Sequence, residues 1–167
     1  MKLTVKELSE IAIITTLYIV MTLIVPVSFG PIQFRVSEML NFVVIFKPKY
    51  AIGVVLGVFI SNIFSSYGLD VIFGTLHTML SFIICIAIFQ VIKDKKLRYL
   101  IVTLVFSALI SIIAWEITII DQAPELFWTF YLTLMLSELT VLGLGSFIMW
   151  QVEKVLEQKK IIDSGSK

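Results

Sequence analysis

The sequence predicts an all-α integral membrane protein: a six-transmembrane-helix bundle with both termini cytoplasmic. Three observations carry that expectation. Of 167 residues, 59% are hydrophobic and mean hydropathy is +1.02, well above soluble domains, where roughly half of the residues are apolar. Long apolar runs recur, three of them reaching the roughly 20 residues that an α-helix needs to cross the hydrocarbon core. With crossings drawn over 10–27, 37–47, 50–66, 71–92, 99–120 and 126–152, all of the 13 Lys and Arg residues except Arg35 fall on one side. Positive charges near span ends resist translocation, so that side is the cytoplasmic one.

The first crossing follows Lys2 and Lys6. Its apolar run, Ile11 to Val27, suffices only if Ser9 and Glu10 lie at the interface, and Pro26, Gly30 and Pro31 end it. Lysines before an apolar core also open secretory signals, but no small-residue cleavage pattern precedes Gly30, so a retained helix is expected. Ala12 and Thr16, one turn apart, form a small patch against which another helix can dock. Residues 28–36 form an outer loop.

The second segment, Val36 to Phe46, is too short to span comfortably; it starts beside Arg35, Ser37 and Glu38, and Pro48 stops it. Such a segment is tilted, broken or partly re-entrant. Irregular backbone at membrane depth survives only where protein or a watery cavity satisfies its polar groups, so this stretch is expected to line a site. In the third crossing Gly53, Gly57 and Ser61 recur at intervals of four, a small-residue stripe whose expected use is close helix packing. The runs 71–92, 99–120 and 126–149 are each long enough to cross. One domain over residues 1–160 with a disordered cytoplasmic tail at 161–167 accounts for the chain, and no repeat relates its halves by eye.

Several function classes drop out. The positive residues are span flanks and not a continuous basic face, and net charge is only +1, so nucleic acid is not an expected partner. Cys85 is the one cysteine and lies in an apolar run, which rules out an internal disulfide or a thiolate metal cage. With one His, one Cys and no paired-ligand motif, neither an enzyme's reactive cluster nor a metal site is expected. No Gly-x-x-x-x-Gly-Lys-Ser/Thr loop is present, so the chain does not hydrolyse ATP by that route.

The informative residues are polar groups inside spans, where a charge costs roughly 2.5–3.5 kcal/mol at the centre and calls for a partner or ligand. Glu38 and Asn41 open the second segment, Asn62 lies near the outer end of the third, and Asp70 precedes the fourth. At the helical rise, His77 falls about 9 Å below the outer end of its span, Glu116 about 6 Å and Glu138 about 18 Å, near the midplane. Together they predict a pocket open to the outside and sealed below by aliphatic side chains. Trp115, Trp128 and Tyr131 lie at the same level, where their rings either anchor at the interface or stack on a flat ligand.

Each polar residue has two readings. Glu38 either pairs with Arg35 at spacing three or faces the ligand. His77 is expected to hydrogen-bond a carboxylate on another helix in preference to a metal. Glu138 either ties its helix to a facing hydroxyl or binds ligand; as a binding group it suits two adjacent N–H donors, such as a guanine-like edge.

The words Gln33-Phe34-Arg35-Val36-Ser37-Glu38-Met39-Leu40-Asn41-Phe42, then Phe46-Lys47-Pro48-Lys49-Tyr50-Ala51-Ile52-Gly53, Gly57, Asn62, and Gly68-Leu69-Asp70-Val71-Ile72-Phe73-Gly74-Thr75-Leu76-His77-Thr78 resemble the queuosine-precursor (QueT) transporter family over nearly the whole chain. That resemblance implies a substrate-binding S component of an energy-coupling factor (ECF) importer in the cell membrane, partnered by a transmembrane coupling subunit and two cytosolic ATPases that use the ATP, with no cofactor in this chain. The implied substrate is a 7-deazaguanine such as preQ0, preQ1 or queuine. Arg35, Glu38, Asn41, Asn62, Asp70, His77, Glu116 and Glu138 would surround it, with Trp115, Trp128 and Tyr131 as stacking candidates. Such S components dock on the coupling subunit through an Ala-x-x-x-Ala stripe in the first helix, matched here by Ala12 and Thr16, and the loop Ser28 to Val36 would gate the pocket. The competing readings are a stand-alone proton-coupled carrier using Glu138, Glu116 and His77 as proton sites, and an S component for a different vitamin.

Overall fold

Thr4 starts the first helix with a capping box: its hydroxyl accepts from the Glu7 amide while the Glu7 carboxylate accepts from the Thr4 amide at 2.9 Å. The structure, a computed structural model, describes residues 3–25, 28–29, 33–65 and 68–159, and every regular element among them is helical. Helix α1 (Val5–Ile24) is followed by a 3₁₀ helix (Val36–Phe42), the short α2 (Val43–Phe46), α3 (Ala51–Asn62), α4 (Asp70–Phe89), α5 (Lys95–Leu109), α6 (Ser111–Ile120) and α7 (Phe127–Gln158). The expected tail at 161–167, the helix-ending residues Pro26, Gly30 and Pro31, and the middle of the proposed gate fall outside the described residues.

Among the described residues, four helical stretches are long and apolar enough to cross a membrane: Val5–Ile24, Asp70–Phe89, Lys95–Ile120 and Pro124–Gln158. The second and third predicted crossings are shorter. The second is broken, as expected from its length, into a seven-residue 3₁₀ helix and the four-residue α2. The 12 residues of α3 rise only about 18 Å, short of the roughly 30 Å hydrocarbon core. The fifth segment is interrupted at Ile110, which separates α5 from α6.

The lysine-bearing segments are tied to acids where helices start and end. Lys49 pairs with Glu7, Lys47 lies 3.7 Å from Glu10, and Tyr50 donates to Glu10 at 2.8 Å. Lys95 contacts Glu153 at 3.1 Å and also bonds Glu157, fastening the start of α5 to the end of α7. The small-residue stripe of α3 is used for packing: a Cβ on Gly57 would sit 2.7 Å from Tyr18 Cβ, and Thr15 of α1 donates to the Gly53 carbonyl at 2.9 Å. Ala12 and Thr16 lie on the opposite, exposed side of α1.

Beneath the polar end, Phe42, Phe82, Tyr99 and Phe106 join Val54, Leu142 and Cys85 in the main core. The apolar packing is mixed: aliphatic side chains such as Val54, Val58, Val102 and Leu142 join Phe42, stacked on Tyr99 at 5.0 Å, and Phe82, edge-on to Phe106 at 5.1 Å. Flat rings fill the space between converging helices with area that branched side chains of similar reach do not supply.

Candidate functional site

Three residues per turn define a 3₁₀ helix, so side chains three apart eclipse one another. Arg35, Glu38 and Asn41 therefore align along one edge of the Val36–Phe42 element and its N-cap. All three are buried. The Tyr18 hydroxyl donates to Glu38 Oε1 at 2.6 Å, and Asn41 Nδ2 donates to Glu38 Oε2 at 2.5 Å. Thr22 and Ser37 exchange a hydroxyl bond at 2.6 Å, so α1 and the 3₁₀ helix are joined twice through polar groups.

Arg35 does not pair with Glu38. Its guanidinium lies 3.7 Å from Asp70 Oδ2, Nε donates to the Ser28 carbonyl at 2.9 Å, and the group lies over the Phe29 ring at 5.4 Å. The reason is local: both Glu38 oxygens are already met by neutral donors, while Asp70, at the start of α4, presents an acid within reach. Asp70 also accepts from the Ser65 hydroxyl, and its carbonyl takes the Asn62 amide at 2.8 Å. Glu116 of α6 lies beside Asp70 and is fully buried.

His77 also departs from expectation. Its Nε2 lies 3.1 Å from the Phe106 carbonyl rather than from a carboxylate, and since a carbonyl only accepts, Nε2 donates. That carbonyl takes the Ile110 amide as well, at 3.1 Å, where α5 gives way to α6.

These elements enclose a cavity. Arg35, Glu38, His77, Thr78 and Glu138 supply its polar wall, Ile110, Ile113 and Leu134 its apolar one, with Gln33 and Gly74 between them. Its volume is about 10 Å³, room for about one water. Its closure involves Gln33, whose backbone sits at φ 43°, in the left-handed region that side-chain-bearing residues seldom adopt. Gln33 and Arg35 thus help to close the cavity.

The clearest chemical signal is what remains unbonded. Among the described residues, Gln33 Nε2, Asn41 Oδ1, Asn62 Oδ1, Asp70 Oδ1, both Glu116 oxygens and Glu138 Oε1 are buried without a hydrogen-bond partner. Each such group costs on the order of 1–3 kcal/mol. Of these only Gln33 and Glu138 line the cavity, one offering an N–H donor and the other a carboxylate acceptor.

The predicted aromatic set is not assembled here. Trp115 is 57% exposed and meets Phe73 edge-on at 6.5 Å; Trp128 is 67% exposed. Tyr131 stacks on Phe127 at 6.0 Å and reaches the Ala108 carbonyl at 3.4 Å. None lines the cavity. Conversely, Tyr18, Gln33, Gly74 and Thr78 belong to the site and were not singled out. Tyr18 and Thr22 were detectable as polar groups one turn apart in the otherwise apolar stretch 17–24; Gly74 was detectable as a helix-interior glycine about one turn before His77.

The profile of the family described as QueT transporter matches residues 8–154. The queuosine precursor transporter QueT of Lactococcus lactis subsp. cremoris (strain MG1363) is 35% identical over 159 residues, covering 89% of this chain and 92% of that protein. No solved structure matches the chain. The matched stretch contains every residue that lines the cavity, from Gln33 to Glu138, and the chain belongs to the QueT transporter family.

Proposed function

We propose that the chain is the membrane-embedded substrate-binding subunit of an ECF-type importer, capturing a queuosine precursor, a 7-deazaguanine of the preQ0, preQ1 or queuine kind, from outside the cell. The observation that carries this reading is Glu138: a carboxylate 4% exposed, facing an enclosed cavity, with one oxygen unbonded. A guanine-type edge presents two adjacent N–H donors, which a carboxylate accepts in paired, charge-assisted bonds. Ile113 and Leu134 offer the apolar surface that a flat ring needs.

Orientation follows from the lysine distribution: the lysine-bearing end faces the cytosol with both termini, and the closed cavity lies toward the outside. The chain has no phosphate-binding loop, so a coupling subunit and two cytosolic ATPases supply the work. The exposed face of α1 with Ala12 and Thr16 is the docking side, small enough for close helix approach.

Calorimetric titration of the purified chain, without partners, against preQ1, queuine, guanine and unrelated vitamins tests the reading. A 7-deazaguanine should bind ahead of the vitamins, and Glu138→Gln should weaken that binding by on the order of tenfold or more, as expected for losing a charged acceptor. Tight binding of a vitamin instead, or an unchanged affinity in Glu138→Gln, would reject the substrate class or the role of Glu138, respectively.

A further inference from the structure

A second recess lies between α5 and α7, at the opposite end of these helices from the polar cavity. It is a groove of about 470 Å³ walled by Lys96 and Tyr99 of α5 and by Ser146, Phe147, Trp150 and Lys154 of α7. We propose that this groove seats an anionic glycerophospholipid of the cytoplasmic leaflet, its phosphate between Lys96 and Lys154 and one acyl chain along the apolar faces of the two helices.

Charge is the first argument. No acid lines the groove. The acids nearest these lysines in sequence are engaged elsewhere: Asp94 caps α5 through the Leu97 amide at 2.9 Å, Glu153 meets Lys95 and the Tyr99 hydroxyl at 3.1 Å each, and Glu157 bonds Lys95. Among the described residues, neither Lys96 nor Lys154 has a carboxylate within ion-pair distance. Topology asks only that positive charge stay on this side of the membrane. It does not ask that ammonium groups from two separate helices border one recess. A basic recess between spans at the cytoplasmic leaflet suits a lipid phosphate.

Shape is the second argument. Lys154 lies over the Trp150 ring at 5.7 Å, and the buried Tyr99 braces that ring edge-on at 5.4 Å, so the lysine end of the groove has a supported aromatic wall. An indole at this level suits the headgroup boundary. About one turn toward the membrane interior, the same helices carry Leu100 and Phe147, both exposed; a turn further along α7, a Cβ on Gly143 would meet open space. Lysines at one end and an apolar track leading away from them match an amphipathic ligand better than a soluble anion. Neither helix carries the Ala12 and Thr16 face, so a lipid seated here leaves that face free.

Native mass spectrometry of the full chain released from detergent micelles tests the assignment, with phosphatidylglycerol, phosphatidylcholine of the same acyl chains, and glycerol phosphate as probes. Phosphatidylglycerol should bind more tightly than phosphatidylcholine by roughly five- to thirtyfold, as expected for one or two lysines at an anionic headgroup. Lys96→Gln/Lys154→Gln should bring that ratio close to unity, while the charge-matched control Lys6→Gln/Lys47→Gln keeps it. Equal binding of the two lipids by the wild type, or an equal loss of preference in both double variants, overturns the site. Glycerol phosphate binding as tightly as phosphatidylglycerol would make this a soluble-anion site and overturn the acyl-chain assignment. An unaltered lipid preference in Lys96→Gln/Lys154→Gln, together with failed recovery of the coupling subunit and ATPases, would give the lysines to a protein partner and overturn the proposal.

Discussion

Gly74 shows how tightly single residues are constrained at the site. A Cβ there would collide with Asn62 Nδ2, the group that donates to the Asp70 carbonyl and so holds the end of α3 against the start of α4. Gly74→Ala should cost about 1–3 kcal/mol, the usual range for overpacking. The check is a thermal melt in detergent, where an unchanged midpoint would mean that Asn62 yields freely. The acids themselves were legible as candidates because a carboxylate in an apolar run is conspicuous. Their partners were not. Arg35 and Glu38 are three apart in sequence, yet Arg35 turns to Asp70 and Glu38 to Tyr18, since spacing specifies what two side chains can reach and not which competitor reaches them first.

At the scale of elements, the short second segment was recognised as irregular from its length and flanking polar residues, and the structure resolves it into a 3₁₀ helix plus one α-helical turn. Period three is what aligns Arg35, Glu38 and Asn41; in an α-helix their side chains would fan out by roughly 60° per step. The glycine stripe of α3 was likewise read correctly as a packing surface, and α1 is its partner. Gly57→Ala should therefore force α1 away from α3 at Tyr18, with a stability loss of about 1–3 kcal/mol. Because Tyr18 also orients Glu38, ligand affinity should fall together with the melting midpoint. Loss of stability alone, with affinity intact, would show that Tyr18 repositions without disturbing the acid.

At the scale of the described residues, unpaired acids gather at one end of the helices and paired lysines at the other, and the face of α1 that carries Ala12 and Thr16 is exposed. Ala12→Leu should spare ligand binding, because Ala12 is exposed and remote from the cavity, while blocking recovery of the complex with coupling subunit and ATPases. Normal co-purification of the variant would place docking elsewhere. The tryptophans illustrate the limit of reading depth without direction: Trp115 and Trp128 were placed at the level of the site, but their exposure puts them on its perimeter, where indole rings suit the membrane interface.

The sequence by itself determined the helical membrane class, the side on which the lysines lie, the broken second segment and the level at which acids accumulate, because hydropathy, charge and helical rise are properties of the chain read along its own axis. Only tertiary structure decided which acids share a cavity, which donors they already hold, which rings face outward and which apolar side chains pack against the site. Those outcomes depend on rotation of each helix about its axis and on competition among side chains from different helices, and neither is encoded in distance along the chain.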